Sequence, residues 1–240
     1  MADSTHFATI LVTMVFFQFL TGLSSTMFKI ANKCNYTVWP GIFSGTGNLP
    51  VSITGFALQP GESKTVTVPS AWSGHVWGRT LCSQDSTGKF SCVTGNCGSF
   101  SLECAGRNAN PPVTLAVFTL NGTGGLDLFD VSLVEGFNIP MRVEPKGGTG
   151  IGNCRATSCA VDLNGACPAK LKVIRDGEGV ACKSACCCSK TCKANSYLQF
   201  FKRACPGAYV YPYDNGISNF TCASADYLLT FCPTSTPSTR

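Results

Sequence analysis

Hydrophobic and polar residues alternate along short stretches through most of the chain. The clearest case is SKTVTVPS at residues 63–70, where Val66 and Val68 fall on one face of an extended chain. Other short β-prone stretches follow the same style, namely FKIANKCNYTVWPGI (two pieces), HVWGRT, VTLAVFTL, LDLFDVSLV and YLLTFC. Clusters of Gly, Pro and Asn separate them, as in AGRNANPP and EPKGGTGIGN. Many short strands joined by turns predict a mainly β protein, a β-sandwich or a barrel.

The pattern changes between residues 154 and 205. Nine of the 16 cysteines lie in this segment, and alternating stretches become scarce. We interpret the segment as a lobe that is held by disulfides and contains little sheet. One helix is predicted at SYLQFFKRAC, because Ser196 is a good capping residue and apolar residues recur at helical spacing. These apolar residues are Tyr197, Phe200, Phe201 and Ala204.

Sixteen cysteines in 240 residues allow two interpretations, disulfide bonds or a metal site. A zinc site favours paired Cys-x-x-Cys spacings or a mixture of Cys and His. The chain has no Cys-x-x-Cys and, after the N-terminal segment, a single histidine, His75. We therefore expect disulfides formed in an oxidising compartment, with no metal and no cofactor.

Residues 7–23 form an apolar stretch followed by Ser24 and Ser25, which is typical of a secretory signal peptide and its cleavage zone. A membrane anchor is the alternative, but the stretch is short for a spanning helix and is interrupted by Thr and Gln. We expect a signal peptide over residues 1–25, an extracellular (apoplastic) protein and a flexible tail over residues 233–240. Three N-glycosylation acceptors fit secretion: Asn35, Asn121 and Asn219.

The charge distribution excludes one class of partner. The chain carries a net charge of +5, and its 18 basic residues are scattered rather than grouped with aromatic residues in a polybasic tract. Nucleic-acid binding is therefore not expected.

A hydrophobic content of 44% with 13% charged residues is typical of a folded rather than a disordered chain. We expect a monomer.

The stretch GKFSCVTGNCGSFSLEC at residues 88–104 resembles the signature of the thaumatin-like proteins (pathogenesis-related group 5). Segments from FKIANKCNYTVWPGI through VWGRTLC and LFDVSLVEGFNIPM to the final TFCP resemble the same family, which also has 16 cysteines. The resemblance implies a β-sandwich core, a disulfide-rich lobe and a small disulfide-held loop domain. The thaumatin-like domain would span residues 26–232, with the core at 26–80, 113–153 and 206–232, the loop domain at 81–112 and the lobe at 154–205.

The resemblance also implies disulfide pairs. In family order these are Cys34–Cys232, Cys82–Cys92, Cys97–Cys104, Cys154–Cys222, Cys159–Cys205 and Cys167–Cys182. Cys186, Cys187, Cys188 and Cys192 would pair among themselves, but the family loop that separates the first two is missing here. Family order would then join adjacent residues, whose Cα atoms are about 3.8 Å apart, below the usual disulfide range of about 4.4–6.8 Å. We predict a rearranged or strained pairing in this run; an error in the gene structure that removes the loop is the alternative.

In defence members of the family, an arginine and four acids line a cleft between the core and the lobe. Glucan binding and weak β-1,3-glucan hydrolysis are attributed to this cleft. The matching positions here are His75, Val117, Asp130, Glu135 and Gly207, of which two are acidic. Glycoside hydrolysis uses two carboxyl groups about 5–9.5 Å apart across the scissile bond, and valine cannot transfer a proton. The resemblance therefore implies a cleft with little or no glucanase activity.

Two neighbouring patterns bear on this cleft. Val113, Leu115 and Val117 alternate on one strand face, so Val117 also has an interpretation as a packing residue. Asp127 is a poor substitute for the missing acid. It lies three residues from Asp130, and the two side chains therefore point to opposite faces of a regular strand.

Five residues are candidates for ligand contacts: Asp130, Glu135, His75, Tyr209 and Tyr211. Tyr209, Tyr211 and Tyr213 alternate, so we predict that they share one strand face. They are either ordinary packing or half-exposed strand residues, or a surface that stacks on sugar rings. His75 is either a pH-dependent contact or a partly exposed residue without a role.

Three functions remain open at this point. The first is a secreted defence protein that binds fungal wall glucan or membrane through the cleft. The second is an inhibitor of microbial wall-degrading enzymes, which would act through surface loops. The third is a weak endo-β-1,3-glucanase, which Val117 and Gly207 disfavour. The corresponding partners are β-glucan, the fungal wall or membrane, and a microbial enzyme.

Overall fold

The computed structural model describes residues 25–149, 153–184, 196–212, 214 and 220–234. This part of the chain is mainly β. Its strands are β1 Ser25–Asn32, β2 Trp39–Ser44, β3 Ser63–Pro69, β4 Ser73–Gln84, β5 Phe90–Thr94, β6 Leu115–Thr119, β7 Asp127–Ser132, β8 Met141–Thr149, β9 Thr157–Cys159, β10 Lys172–Arg175, β11 Glu178–Cys182 and β12 Phe220–Phe231. A 3-10 turn at Thr123–Gly125 and helix α1 at Ser196–Ala204 complete the described elements. Within the described residues, no helix is long and apolar enough to cross a membrane.

One long curled sheet forms the core, in the order β2-β4-β6-β7-β12-β1-β3. Strand β12 links its two halves. The first three residues of β12 pair with β7, whereas its later residues pair with β8 and, in parallel, with β1. Between these parts the β12–β8 pairing skips Ser224 and Gly148, both of which have positive φ. The sheet bends at this point, and its halves pack face to face as a sandwich.

The predicted alternation places the main core between the two halves. Val66 and Val68 are buried, while Thr67 between them is exposed. Phe28 contacts Phe118 at a ring-centroid distance of 4.5 Å and lies edge-on to Tyr227 at 5.8 Å. These aromatic contacts join strands from both halves of the sheet. The mainly β prediction is confirmed, since alternation of this kind leaves one apolar face on each strand to be buried.

A second, smaller core lies on the opposite face of β4 and β6. It consists of Trp77, Cys97, Cys104, Val113 and Leu115. The loops between β4 and β6 cover it. The buried guanidinium of Arg79 stabilises this cover by donating hydrogen bonds to the carbonyl oxygens of Trp39, Pro40 and Leu102 at 3.0, 3.1 and 2.8 Å.

In the described part of the chain, twelve cysteines form six disulfides, the same pairs that the resemblance implies. Cys34–Cys232 ties β1 to the end of β12. The lobe contains the short hairpin β10–β11 and helix α1, which begins at Ser196 as predicted and buries Leu198 and Phe201.

Several predictions from the sequence fall on residues outside the described part. These are the signal peptide up to residue 24, the pairing of Cys186, Cys187, Cys188 and Cys192, the positions Tyr213 and Asn219, and the tail from residue 235. Strand β1 begins at Ser25, the last residue assigned to the signal peptide.

Candidate functional site

The register of four antiparallel strands aligns three of the five candidate cleft residues. His75 on β4 lies opposite Val117 on β6, and Val117 lies opposite Asp130 on β7. Phe43 on β2 extends the row on the other side of His75. Directly opposite residues on neighbouring strands share one face of a sheet. The result is a continuous row of four partly buried side chains across the face that also carries the smaller core.

His75 is held between aromatic rings and a loop. Its ring stacks on Phe43 at 5.1 Å and lies 5.7 Å from the ring of Trp77. Its Nε2 is 2.6 Å from Oδ1 of Asn108, an acceptor, so Nε2 donates this hydrogen bond. Burial lowers the pKa of His75, and the hydrogen bond to Asn108 and the charge of Glu135 oppose this effect. Neutral imidazole is therefore favoured at pH values where an exposed histidine would begin to protonate.

Val117 packs against the smaller core alongside Phe43. This contact agrees with the packing interpretation of the Val113, Leu115 and Val117 alternation. The side chain also lines a cavity of about 280 Å³, here called the Asp130 cavity. Its presence gives that cavity an apolar wall at the position where the family resemblance places an acid.

Asp130 faces the same cavity, together with Tyr209 and Phe220. Among the described residues, its carboxyl group has no hydrogen-bond or ion-pair partner. Burial raises its pKa from 3.8 to about 7. The pKa of the Tyr209 phenol is also raised, mainly by burial and in addition by the nearby charge of Asp130. Near neutral pH this cavity therefore holds a carboxyl group that exists in both protonation states.

Asp127 has a different role from Asp130, as its position on the other strand face predicts. Its carboxylate is buried in the main core, where it accepts hydrogen bonds from the Tyr227 hydroxyl at 2.9 Å and the Asn121 backbone N–H at 2.8 Å. These contacts satisfy both oxygens, so Asp127 holds the core together and does not replace the missing acid.

The other two family positions line separate cavities. Glu135 borders a cavity of about 230 Å³ with Pro111, Pro112, Lys183 and Ser184, although its charge reaches His75. Gly207 borders a third cavity, of about 590 Å³, whose lining includes Arg142 and Arg155. The structure thus brings His75, Val117 and Asp130 together and places Glu135 and Gly207 at neighbouring sites.

The predicted strand with three tyrosines on one face is wrong in the described part. Tyr209 forms a single bridge with Ser132, and neither Val210 nor Tyr211 belongs to a strand. Tyr211 packs against the main core, whereas Tyr209 lines the Asp130 cavity. Pro212 lacks a backbone N–H and limits further pairing of this segment. Of the two tyrosines that the structure describes in this segment, Tyr209 is therefore the one that can contact a ligand beside Asp130.

Phe43 and Asn108 are among the residues of this site that were not predicted from the sequence. Phe43 directly follows the predicted stretch that ends at Ile42, and its place beside His75 depends on the β2–β4 register. Asn108 lies in the cluster AGRNANPP, whose composition predicts only a loop. Asn and Pro in such loops signal turns and give no indication of which distant side chain they will contact.

The family model for the thaumatin family matches residues 32–233. The chain belongs to the thaumatin family. A pathogenesis-related thaumatin-like protein 3.5 from Cryptomeria japonica is 47% identical, covering 97% of this chain and 99% of that protein. Pathogenesis-related protein 5 from Arabidopsis thaliana is 44% identical, covering 92% and 98%.

Among solved structures, a thaumatin-like xylanase inhibitor aligns with a TM-score of 0.49 and 25% identity, covering 86% of this chain and 99% of that chain. The family assignment rests on the sequence comparisons. This thaumatin-family protein is a disulfide-rich protein of the pathogenesis-related type. In the described segments, no group of three or more His, Cys, Asp or Glu side chains is placed to hold a metal ion.

Proposed function

We propose that this thaumatin-family protein is a secreted defence-type protein that binds β-1,3-glucan of fungal cell walls without hydrolysing it. The pathogenesis-related names of its relatives support the defence role. The six disulfides, the apolar segment at residues 7–23 and the exposed acceptors Asn35 and Asn121 support secretion.

The observation that carries the non-hydrolytic part is the Val117–Asp130 pair. Of the described residues lining the Asp130 cavity, Asp130 alone bears a carboxyl group. A glycosidase needs a second carboxyl group across the bond that is cleaved, as an acid, base or nucleophile. Val117 occupies the cross-strand position where that group would be adjacent. The cavity can therefore hold a sugar ring but lacks the pair of groups that would cleave its linkage.

Sugar binding would depend on the side chains that line the Asp130 cavity. The Tyr209 ring and the Val117 side chain offer apolar surface, on which the C–H face of a sugar can lie. Because the pKa of Asp130 is about 7, the carboxyl group is protonated at mildly acidic pH. In that state it both donates and accepts hydrogen bonds, which suits the hydroxyl groups of a neutral sugar.

A pull-down with insoluble β-1,3-glucan at about pH 5.5 tests the proposal. We expect the wild-type protein to be retained without release of reducing sugar, and Asp130→Ala and Tyr209→Ala each to weaken retention about tenfold. Asp176→Ala is the matched control, because Asp176 is exposed in the β10–β11 turn. Sugar release by the wild type, or equal retention of all variants, would contradict the proposal. Stoichiometric inhibition of a fungal glucanase or xylanase that survives both cavity substitutions would favour the inhibitor function instead.

A further inference from the structure

A cavity of about 460 Å³ lies apart from the cleft positions, between the core and the lobe. It is here called the Tyr36 cavity, and its lining residues are Tyr36, Thr37, Trp39, Thr80, Leu81, Cys82, Asn138, Asp162, Asn164, Gly179 and Val180. None of these residues lines the Asp130 cavity. Its volume falls within the range of about 300–1,000 Å³ that is usual for small-ligand sites.

The walls of the Tyr36 cavity are held rigidly. Asn138 is buried, and its side-chain amide donates to the carbonyl oxygen of Gly78 at 2.8 Å and to Thr94 Oγ1 at 2.9 Å. Its own backbone oxygen accepts a hydrogen bond from Asn164 Nδ2 at 2.9 Å, which ties the lobe to the core. Cys82 is fixed by its disulfide to Cys92. A preformed cavity of this kind avoids an ordering cost when a ligand binds.

Two aromatic side chains face this space. Tyr36 is 43% exposed, and Trp39 is partly exposed. The indole N–H groups of Trp72 and Trp77 donate to Ser44 Oγ and to the Gly95 carbonyl oxygen. By contrast, the indole N–H of Trp39 has no hydrogen-bond acceptor among the described residues. Trp39 therefore offers an apolar ring together with an available donor.

Acceptors lie on the opposite, lobe side of the Tyr36 cavity. Asp162 is exposed and accepts one hydrogen bond, from the Asn164 backbone N–H at 2.9 Å, on Oδ1. Its other oxygen has no partner in the described part of the chain. Asn164 Oδ1 is buried and likewise has no hydrogen-bond donor among the described residues. Asp162 therefore supplies the solvent-accessible acceptor of this wall, whereas Asn164 Oδ1 is covered in the free protein.

The charges of the lining select the type of ligand. Asp162 is the single Asp or Glu among the described lining residues, and these residues include no Lys or Arg. A phosphate or a carboxylated sugar would meet a negative charge without a cation to balance it. A neutral molecule with several hydroxyl groups and an apolar face fits the mixture of aromatic rings, acceptors and one donor.

We propose that the Tyr36 cavity binds a short neutral saccharide, at a site separate from the Asp130 cavity. Two sources supply this chemistry. One is the fungal wall. The other is a glycan on Asn35, which is exposed and directly precedes Tyr36 and Thr37 in the cavity wall. The inference does not rest on the proposed function of the Asp130 cavity.

The first experiment uses full-length mature protein produced without N-glycans and labelled with ¹⁵N. The indole N–H signal of Trp39, assigned with Trp39→Phe, is followed during titration with β-1,3-linked glucose disaccharide and with N-acetylglucosamine disaccharide. We expect at least one sugar to shift this signal, and Asp162→Ala to weaken binding about tenfold. Asp130→Ala should leave the titration unchanged, which separates this site from the proposed glucan-binding cavity.

The second experiment tests the glycan on Asn35. In protein produced with N-glycans, the Trp39 signal is compared between wild type, Asn35→Gln and the matched control Asn121→Gln. A change confined to Asn35→Gln identifies the protein's own glycan as the occupant. A signal that is unchanged in both experiments would overturn the proposal, and so would a sugar titration that Asp162→Ala does not weaken.

Discussion

Val117 and Asp130 lie directly opposite each other on β6 and β7. Cβ atoms in such pairs are about 4.5–5.5 Å apart, so the two side chains share one local environment. The valine keeps this environment apolar, and the pKa of Asp130 rises to about 7 through burial. One aliphatic side chain therefore stands at the register position where the family resemblance implies an acid, and it also contributes to the raised pKa of Asp130.

Val117→Glu is expected to raise the pKa of Asp130 further. The new carboxyl group would lie beside Asp130 on the same face, and a like charge disfavours ionisation. The titration of the Asp130 carboxyl carbon can be followed by NMR. Val117→Gln is the control, since it has nearly the same size and no charge. A pKa of Asp130 that is equal in the two variants would show that the side chains do not interact.

Asp130→Asn is expected to change how stability depends on pH. The folded-state pKa of Asp130, about 7, lies above its unfolded value of 3.8, so the folded state binds more protons between these values. The wild type therefore loses stability as pH rises from about 4 through 7, and asparagine removes this loss. In urea unfolding at pH 4, 6 and 8, the free energy of unfolding of the variant should rise relative to that of the wild type with each step in pH.

The control for this pH series is Asp176→Asn, which changes an exposed carboxylate in a turn. Its stability should run parallel to that of the wild type across the three pH values. If Asp130→Asn also ran parallel, the carboxyl group would be ordinarily solvated, and the protonated form invoked for sugar binding would not exist at mildly acidic pH.

The strands of this protein could be predicted from local patterns, but the sites could not. The alternation around Val66 and Val68 is a property of neighbouring residues and reports one buried face. The contact of His75 with Asn108 joins residues 33 positions apart through the β-sheet and a loop. Such contacts depend on strand register, which local hydrophobicity does not determine for distant strands.

Tyr209 and the Tyr36 cavity also show that local sequence patterns do not determine long-range contacts. The alternation of tyrosines at residues 209–213 predicts a strand, yet a single bridge forms at Tyr209 beside Ser132. The Tyr36 cavity joins Tyr36 to Asp162, and nothing in either local sequence points to the other. The family resemblance implied the six disulfide pairs that the structure confirms, and Val117 and Gly207 stood out as departures only against the pattern of that family.

Gly207→Ala is expected to be tolerated or mildly stabilising. An added Cβ would lie 3.8 Å from the Ser158 carbonyl oxygen, which is an ordinary contact distance. Replacing glycine at a compatible position typically gains about 0.4–1 kcal/mol through the unfolded state. Thermal unfolding measures the effect.

Gly55→Ala provides the contrast for Gly207→Ala. Its Cβ would come within 2.1 Å of the Leu102 carbonyl oxygen, so the backbone must shift, at a cost of about 1–3 kcal/mol. If Gly207→Ala lost as much stability as Gly55→Ala, the space beside Gly207 would be closed. An acid restored at that position would then not be accommodated.

Arg79→Lys is expected to destabilise the protein by about 2–4 kcal/mol, despite keeping the charge. The guanidinium of Arg79 is fully buried and donates to three carbonyl oxygens in two chain segments, and burial lowers its pKa to about 10. A lysine ammonium is more compact and cannot span these acceptors in one plane. Arg107→Lys, at an exposed position in the covering loop, should change stability by less than about 0.5 kcal/mol in the same urea titration. Equal effects of the two substitutions would mean that the loops over the smaller core are held by its apolar contacts and disulfides, without help from Arg79.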